Sequence, residues 1–149
     1  MSMVEDIGKG LSGLEQLRAF MASGRRPGIA VSLDFDLVEV DEGRTVFAGV
    51  PGPHAFYPMG MVHGGYFDTL LDYALGCAVH SRLTAQQAYT TLELKVAFHK
   101  ALTAESGLVR AEGRVISMGR RVAFVEGSIT DASGKLYATG SSTLLVMDR

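Results

Sequence analysis

A single cysteine, Cys77, stands in this chain of 149 residues, so no internal disulfide can form. It lies in an apolar segment with no basic neighbour to activate its thiol, which points to a small buried filler. Charge of one sign is equally scarce: the formal net charge is −2, and no stretch concentrates it. The phosphate attraction on which nucleic-acid binders rely is missing, and neither DNA nor RNA is an expected partner. No window approaches the ~18 consecutive apolar residues of a membrane-crossing helix. Met1 to Gly13 contains no apolar h-region and carries Glu5, Asp6 and Lys9, so no secretory signal is expected and a cytoplasmic location is.

Several familiar motifs are also absent or incomplete. His54, His63, His80 and His99 show neither a helical pair nor H-E-x-x-H spacing, so no metal is expected. Gly8, Gly10 and Gly13 match G-x-G-x-x-G, but no strand precedes them to make a dinucleotide fold. His63-Gly64-Gly65 looks like a lipase oxyanion loop, yet no G-x-S-x-G elbow occurs to serve it.

What the chain does have is a globular balance, with 47% hydrophobic and 20% charged residues. Its length suits one domain that buries about 68–70% of the unfolded surface. Ser12 and Glu15 form a capping-box signature, and Leu14, Leu17 and Met21 then recur at helical spacing, predicting a short helix over 12–23. Residues 30–41 and 44–50 read as two strands about an Asp41-Glu42-Gly43 turn, and 51–62 as a Pro- and Gly-rich connection. Phe67, Leu70, Leu71, Ala74, Leu75 and Ala78 make one apolar stripe, predicting a long helix over about 64–82. The period then changes to two. Leu92, Leu94, Val96 and Phe98 alternate with polar residues over 89–99, as do Val109, Ala111, Gly113 and Val115 over 107–117. Strands at about 121–130 and 136–146 follow, joined by a turn so short that they must be antiparallel neighbours. An α+β domain results, one long central helix packed on an antiparallel sheet of five or six strands.

The chemistry concentrates in Tyr57-Pro-Met-Gly-Met-Val-His-Gly-Gly65, which runs directly into the long helix. The first helical N–H groups lack internal partners and the macrodipole makes that end electropositive, so two glycines there can present bare donors to a developing oxyanion. The plain alternative is that they merely let the chain turn tightly. Asp68 and Asp72 lie one turn apart on the same flank of the stripe, and periodicity alone cannot choose between a working carboxylate and two solvated ones.

Gly60-Met-Val-His-Gly-Gly-Tyr-Phe-Asp-Thr-Leu-Leu-Asp72, followed by Tyr89-Thr-Thr-Leu-Glu-Leu-Lys-Val96, resembles the PaaI-type branch of the hotdog-fold acyl-CoA thioesterases, relatives of the 4-hydroxybenzoyl-CoA thioesterases. The resemblance covers about residues 30–147. It implies a hotdog domain at 30–149 behind an N-terminal extension at 1–29 with its short helix. It further implies Asp72 as catalytic carboxylate, Gly64 as oxyanion N–H with Gly65 beside it at the substrate, and His63 as an orienting partner. Thr91, or Thr90 with a shift, falls where the family positions water. Gly119-Arg120-Arg121 falls where relatives meet the nucleotide of CoA, although exposed hairpin charges explain the arginines as well. The family usually carries Asn or Gln six residues before the His, where Tyr57 stands here. Tyr57 either replaces that amide, packs while water does its work, or marks reduced activity.

Helix geometry adds a deduction of its own. Gly64 and Asp72 are eight residues apart, roughly 12 Å at 1.5 Å per residue, too far to act on one carbonyl from one helix. If both act, two subunits must share each site. The resemblance implies the same homodimer, often paired again into a homotetramer. The function expected is hydrolysis of acyl- or aryl-CoA with no cofactor beyond the coenzyme A of the substrate, Asp72 either activating water or attacking directly. The alternative is an acyl-CoA-binding or sensing module without turnover.

Overall fold

The computed structural model describes residues 2–149. Two serine caps open the chain. Ser2 heads α1 (Met3–Ile7) in a full capping box: the Glu5 N–H donates to Ser2 Oγ at 3.2 Å, and the Ser2 N–H donates to the Glu5 carboxylate at 2.7 Å. Ser12 heads α2 (Gly13–Ser23), accepting from the Glu15 N–H at 3.3 Å. Its own hydroxyl, and not its amide, engages the Glu15 carboxylate, so the predicted box is half formed.

Residues 30–34 depart from the predicted strand, because α3 spans Gly28–Leu33. Pro27, with its fixed φ, caps this turn, and Asp34 ends it in the left-handed region at φ 56°. Arg26 holds the Asp34 carboxylate at 3.0 Å, clamping both ends. Strands β1 (Phe35–Asp41) and β2 (Arg44–Gly49) follow, then a 3-10 turn at Pro53–Ala55 and the long helix α4 (Gly64–His80). Strands β3 (Gln87–Phe98), β4 (Val109–Met118), β5 (Val122–Asp131) and β6 (Leu136–Asp148) complete one sheet ordered β1-β2-β4-β5-β6-β3, antiparallel throughout. No helix among the described residues is long and apolar enough to cross a membrane.

The sheet curls around α4, whose predicted stripe is buried along its whole length. Gly113 on β4 lets the sheet approach the helix closely, since a Cβ there would run into the Ala74 carbonyl. That carbonyl also accepts the Thr45 hydroxyl at 2.8 Å, so the middle of α4 is pinned to β2 and β4 together. One long helix gripped in a curved antiparallel sheet is the hotdog arrangement.

Bulges set which side chains face the helix. On β3, Thr91 pairs with Leu144 and Glu93 with Thr143, leaving Leu92 as the extra residue. Leu92 turns outward, 56% exposed, against the uninterrupted alternation read from sequence. Tyr89 and Thr91 therefore face inward before the bulge, while Leu94 and Val96 face inward after it.

Candidate active site

Four of the expected residues meet at the start of α4. His63 is the N-cap, and its Nδ1 accepts the Gly65 N–H at 2.8 Å. An accepting Nδ1 places the proton of the neutral ring on Nε2, leaving that edge as a donor. Gly65 lacks the Cβ that would press on the His63 ring at 3.0 Å, which is what lets the ring fold back. Its amide is thus engaged by His63. The Gly64 N–H keeps no acceptor among the described residues. An open groove of about 410 Å³ adjoins it, lined by Val62, Phe67, Phe98, His99 and Lys100. The Phe98 ring lies 3.2 Å from where a Gly64 Cβ would stand, so a side chain there would displace it. Tyr57 belongs to a tight turn in which its N–H donates to the Met61 carbonyl at 3.0 Å, and its ring stands edge-on to His63 with centroids 6.4 Å apart.

Two turns further along, Asp72 and Thr91 form a second cluster. The Thr91 hydroxyl donates to Asp72 Oδ1 at 2.9 Å, which selects Thr91 over Thr90. The β3 bulge is the cause, because without it Leu92 would share the inward phase of Leu94 and Val96. Asp72 is exposed, its second oxygen without a hydrogen-bond partner among the described residues, whereas Asp68 is half-buried with Oδ1 enclosed and unbonded. Burial raises the Asp68 pKa, and nearby His63 partly counters that. The two carboxylates that periodicity left equivalent are therefore distinct in environment.

Gly119, Arg120 and Arg121 sit apart, in the β4–β5 turn closed by the Gly119 N–H donating to the Val122 carbonyl at 2.9 Å. Both arginines are exposed, and neither has an ion-pair partner among the described residues. No cluster of His, Cys, Asp and Glu suited to a metal occurs among the described residues. Sequence reasoning missed Phe98 as the wall over Gly64 and Tyr89 as the neighbour of Asp72. The first sat in a regular alternation, and the second depends on a bulge that leaves no local signature.

Comparison with known proteins identifies the family. A 1,4-dihydroxy-2-naphthoyl-CoA hydrolase from Listeria monocytogenes is 26% identical over 119 residues, 80% of this chain and 95% of the relative. The PaaI protein from the phenylacetic acid degradation operon of E. coli superposes with a TM-score of 0.78 at 20% identity, covering 91% of this chain and 94% of that one. A Streptococcus mutans protein solved with acetyl-CoA bound gives 0.69 at 23% identity, covering 77% and 90%. At such identities the two structures share the fold. The family model that matches residues 59–138 spans more than half of the chain, from the turn before α4 into β6, and this protein belongs to the Thioesterase superfamily.

Proposed function

We propose that this protein hydrolyses the thioester bond of acyl- or aryl-CoA to the free acid and CoA, at a site shared by two copies of the chain. Family membership supports the reaction class. The coenzyme A part of the substrate is supported by the Listeria relative, a CoA hydrolase by name, and by the acetyl-CoA bound to the Streptococcus protein.

The observation that carries the mechanism is the Thr91–Asp72 hydrogen bond, 2.9 Å long, on the same unbroken helix whose first amide, Gly64, is free. Gly64 N–H and the positive end of the helix dipole polarise the thioester carbonyl and hold its developing charge. Thr91 fixes one oxygen of Asp72, and the other takes a proton from water as that water adds to the carbonyl carbon. Collapse of the tetrahedral adduct breaks the C–S bond, and the proton passes to the departing CoA sulfur. His63, with Nε2–H outward, orients the thioester. Direct attack by Asp72 would give an acyl anhydride that water then cleaves, with the same products.

A straight helix keeps Gly64 and Asp72 roughly 12 Å apart, so each carbonyl takes Gly64 from one copy and Asp72 from the other. The free edge of β3 supports such pairing. This strand of 12 residues has a neighbour on one side only, and Leu92 and Phe98 on it are 56% and 54% exposed. Arg120 and Arg121, exposed and without ion-pair partners among the described residues, are the residues we assign to the CoA phosphates.

A panel of acetyl-, octanoyl-, palmitoyl- and benzoyl-CoA, followed by thiol release, tests the reading. Turnover of at least one is expected, falling by about 10² or more in kcat for Asp72→Asn. Tight CoA binding without turnover of any thioester would favour a sensing module instead.

A further inference from the structure

A second cavity, separate from the groove beside Gly64, lies where the N-terminal helices cover the face of α4 that the sheet leaves open. It encloses about 280 Å³. Its floor is the stripe Tyr73, Cys77 and His80 of α4, a run of roughly 10 Å at 1.5 Å per residue. Its roof is Leu17, Phe20 and Met21 of α2, with Phe35 and Phe47 on the β1–β2 side and Tyr89 on the β3 side.

The interior carries no charge at neutral pH. Burial pushes the Cys77 thiol up to about 12 and the His80 ring down to about 4. The charged residues of the lining, Arg25, Arg26 and Asp36, belong to ion pairs: Arg25 with Asp6 at 3.0 Å, Arg26 with Asp34 at 3.0 Å and with Asp36 at 3.6 Å. An apolar guest of no net charge is the chemistry such walls accept.

The cavity adjoins the working carboxylate. Tyr73 follows Asp72 in the chain, Tyr89 precedes Thr91 by two residues on the same face of β3, and the charge of Asp72 is felt by Tyr73, Cys77 and Tyr89 alike. We infer that this cavity is the acyl pocket of the thioesterase, taking the uncharged hydrocarbon or aryl tail of the substrate past Tyr73 and Tyr89, with residues of the N-terminal helices setting its length. The inference rests on the thioesterase reading above. A cavity of ~150 Å³ holds one benzene ring, so this one, about twice as large, suits roughly eleven carbons. The roof residues Leu17, Phe20 and Met21 lie outside the span 59–138 that matches the family, whereas the floor residues Tyr73, Cys77 and His80 lie within it.

Filling the roof tests the assignment. Met21 is 39% exposed, so Met21→Trp can be accommodated, with Met21→Leu as control and thermal melting to confirm folding. The measured quantity is kcat/KM for octanoyl-CoA divided by that for acetyl-CoA. The ratio is expected to fall about 10-fold or more in Met21→Trp, the scale of a methylene lost from or forced into an apolar pocket, and to hold in Met21→Leu. Phe20→Ala, which enlarges the roof, is expected to shift the preferred chain length upward. An unchanged ratio in Met21→Trp together with an unshifted preference in Phe20→Ala, in enzymes that still turn over, overturns the pocket and leaves the thioesterase intact. Absence of turnover by the wild-type protein on every thioester sinks the underlying reading instead.

Discussion

His63 and His80 stand at opposite ends of α4, and the contrast between them separates the end proposed to work from the structural one. His63 is exposed and caps the helix through Nδ1, leaving Nε2–H and the neighbouring Gly64 amide without partners among the described residues. His80 is buried and its Nε2 donates to the Gln16 side-chain oxygen at 2.7 Å. The direction follows from Gln16, whose amide nitrogen is committed to the Gly8 and Leu11 carbonyls at 3.2 and 3.0 Å. Around His63 the polar groups are left open or, like Asp68 Oδ1, enclosed and unbonded. Around His80 they are closed off, since the Ser81 hydroxyl donates to the Ala78 carbonyl at 2.6 Å and the Gly13 N–H to the Leu83 carbonyl at 2.8 Å. Buried polar groups are normally satisfied, so the unbonded Asp68 Oδ1 near His63, set against the bonded groups around His80, supports the proposed placement of the ligand at the His63 end.

The comparison can be broken by charge at either end. The largest effect belongs to Asp72→Asn, the roughly 10²-fold loss already stated, against which Asp68→Asn should leave kcat nearly unchanged, with an unchanged or raised melting temperature because a desolvated charge is removed. Equal kinetic losses in both folded variants would erase the distinction drawn between them.

Acid should act on the other end. The folded chain keeps His80 neutral down to about 4, against an ordinary value of 6.5, so between these values the unfolded chain binds the extra proton. The stabilisation is complete above pH 6.5 and is lost as the pH falls toward 4, at most ~3 kcal/mol over that window. Denaturant unfolding at pH 7 and pH 5 should show this slope in the wild type and a shallower one in His80→Gln. Identical slopes would mean that other groups carry the acid sensitivity.

Thr91→Val removes one hydrogen bond to a carboxylate and should lower kcat about 10-fold with little change in KM, while Thr91→Ser restores it. A loss confined to KM would make Thr91 a binding residue. The smallest effect is expected at Tyr57. Its ring packs edge-on to His63, so Tyr57→Phe should cost no more than a few-fold in kcat/KM and Tyr57→Ala more. A loss of about 10-fold in Tyr57→Phe would show that the hydroxyl itself acts, in place of the family's usual amide.

Much of the fold was legible because it rests on periodicity. The α4 stripe and the β4 alternation of Val109, Ala111 and Gly113 are buried as read, since a face packed on a partner must repeat with its element. What escaped was non-periodic. Asp34 ends α3 by a left-handed residue that Val31 and Leu33, good strand formers, conceal. The same Ser-x-x-Glu signature that marks α2 is present at Ser2 and Glu5, and α1 could have been found there. Within the site, His63-Gly64-Gly65 was visible because a helix start is a local event. The Thr91–Asp72 contact needed the resemblance, because it joins elements 19 residues apart through a bulge. The cavity under α2 was invisible, because its lining comes from helices and strands far apart in the chain, such as those of Leu17 and Tyr89.

The central claim is that each site takes its oxyanion donor from one copy and its carboxylate from another. Gly64→Pro removes the donor and Asp72→Asn the charge, and each variant alone should be inactive. Mixed and allowed to exchange, half of the heterodimers' sites are intact, so octanoyl-CoA hydrolysis should return to roughly a quarter of the wild-type rate, as random pairing of two chains in a two-fold dimer requires. Exchange confirmed by mass, with no activity regained, would contradict the shared site.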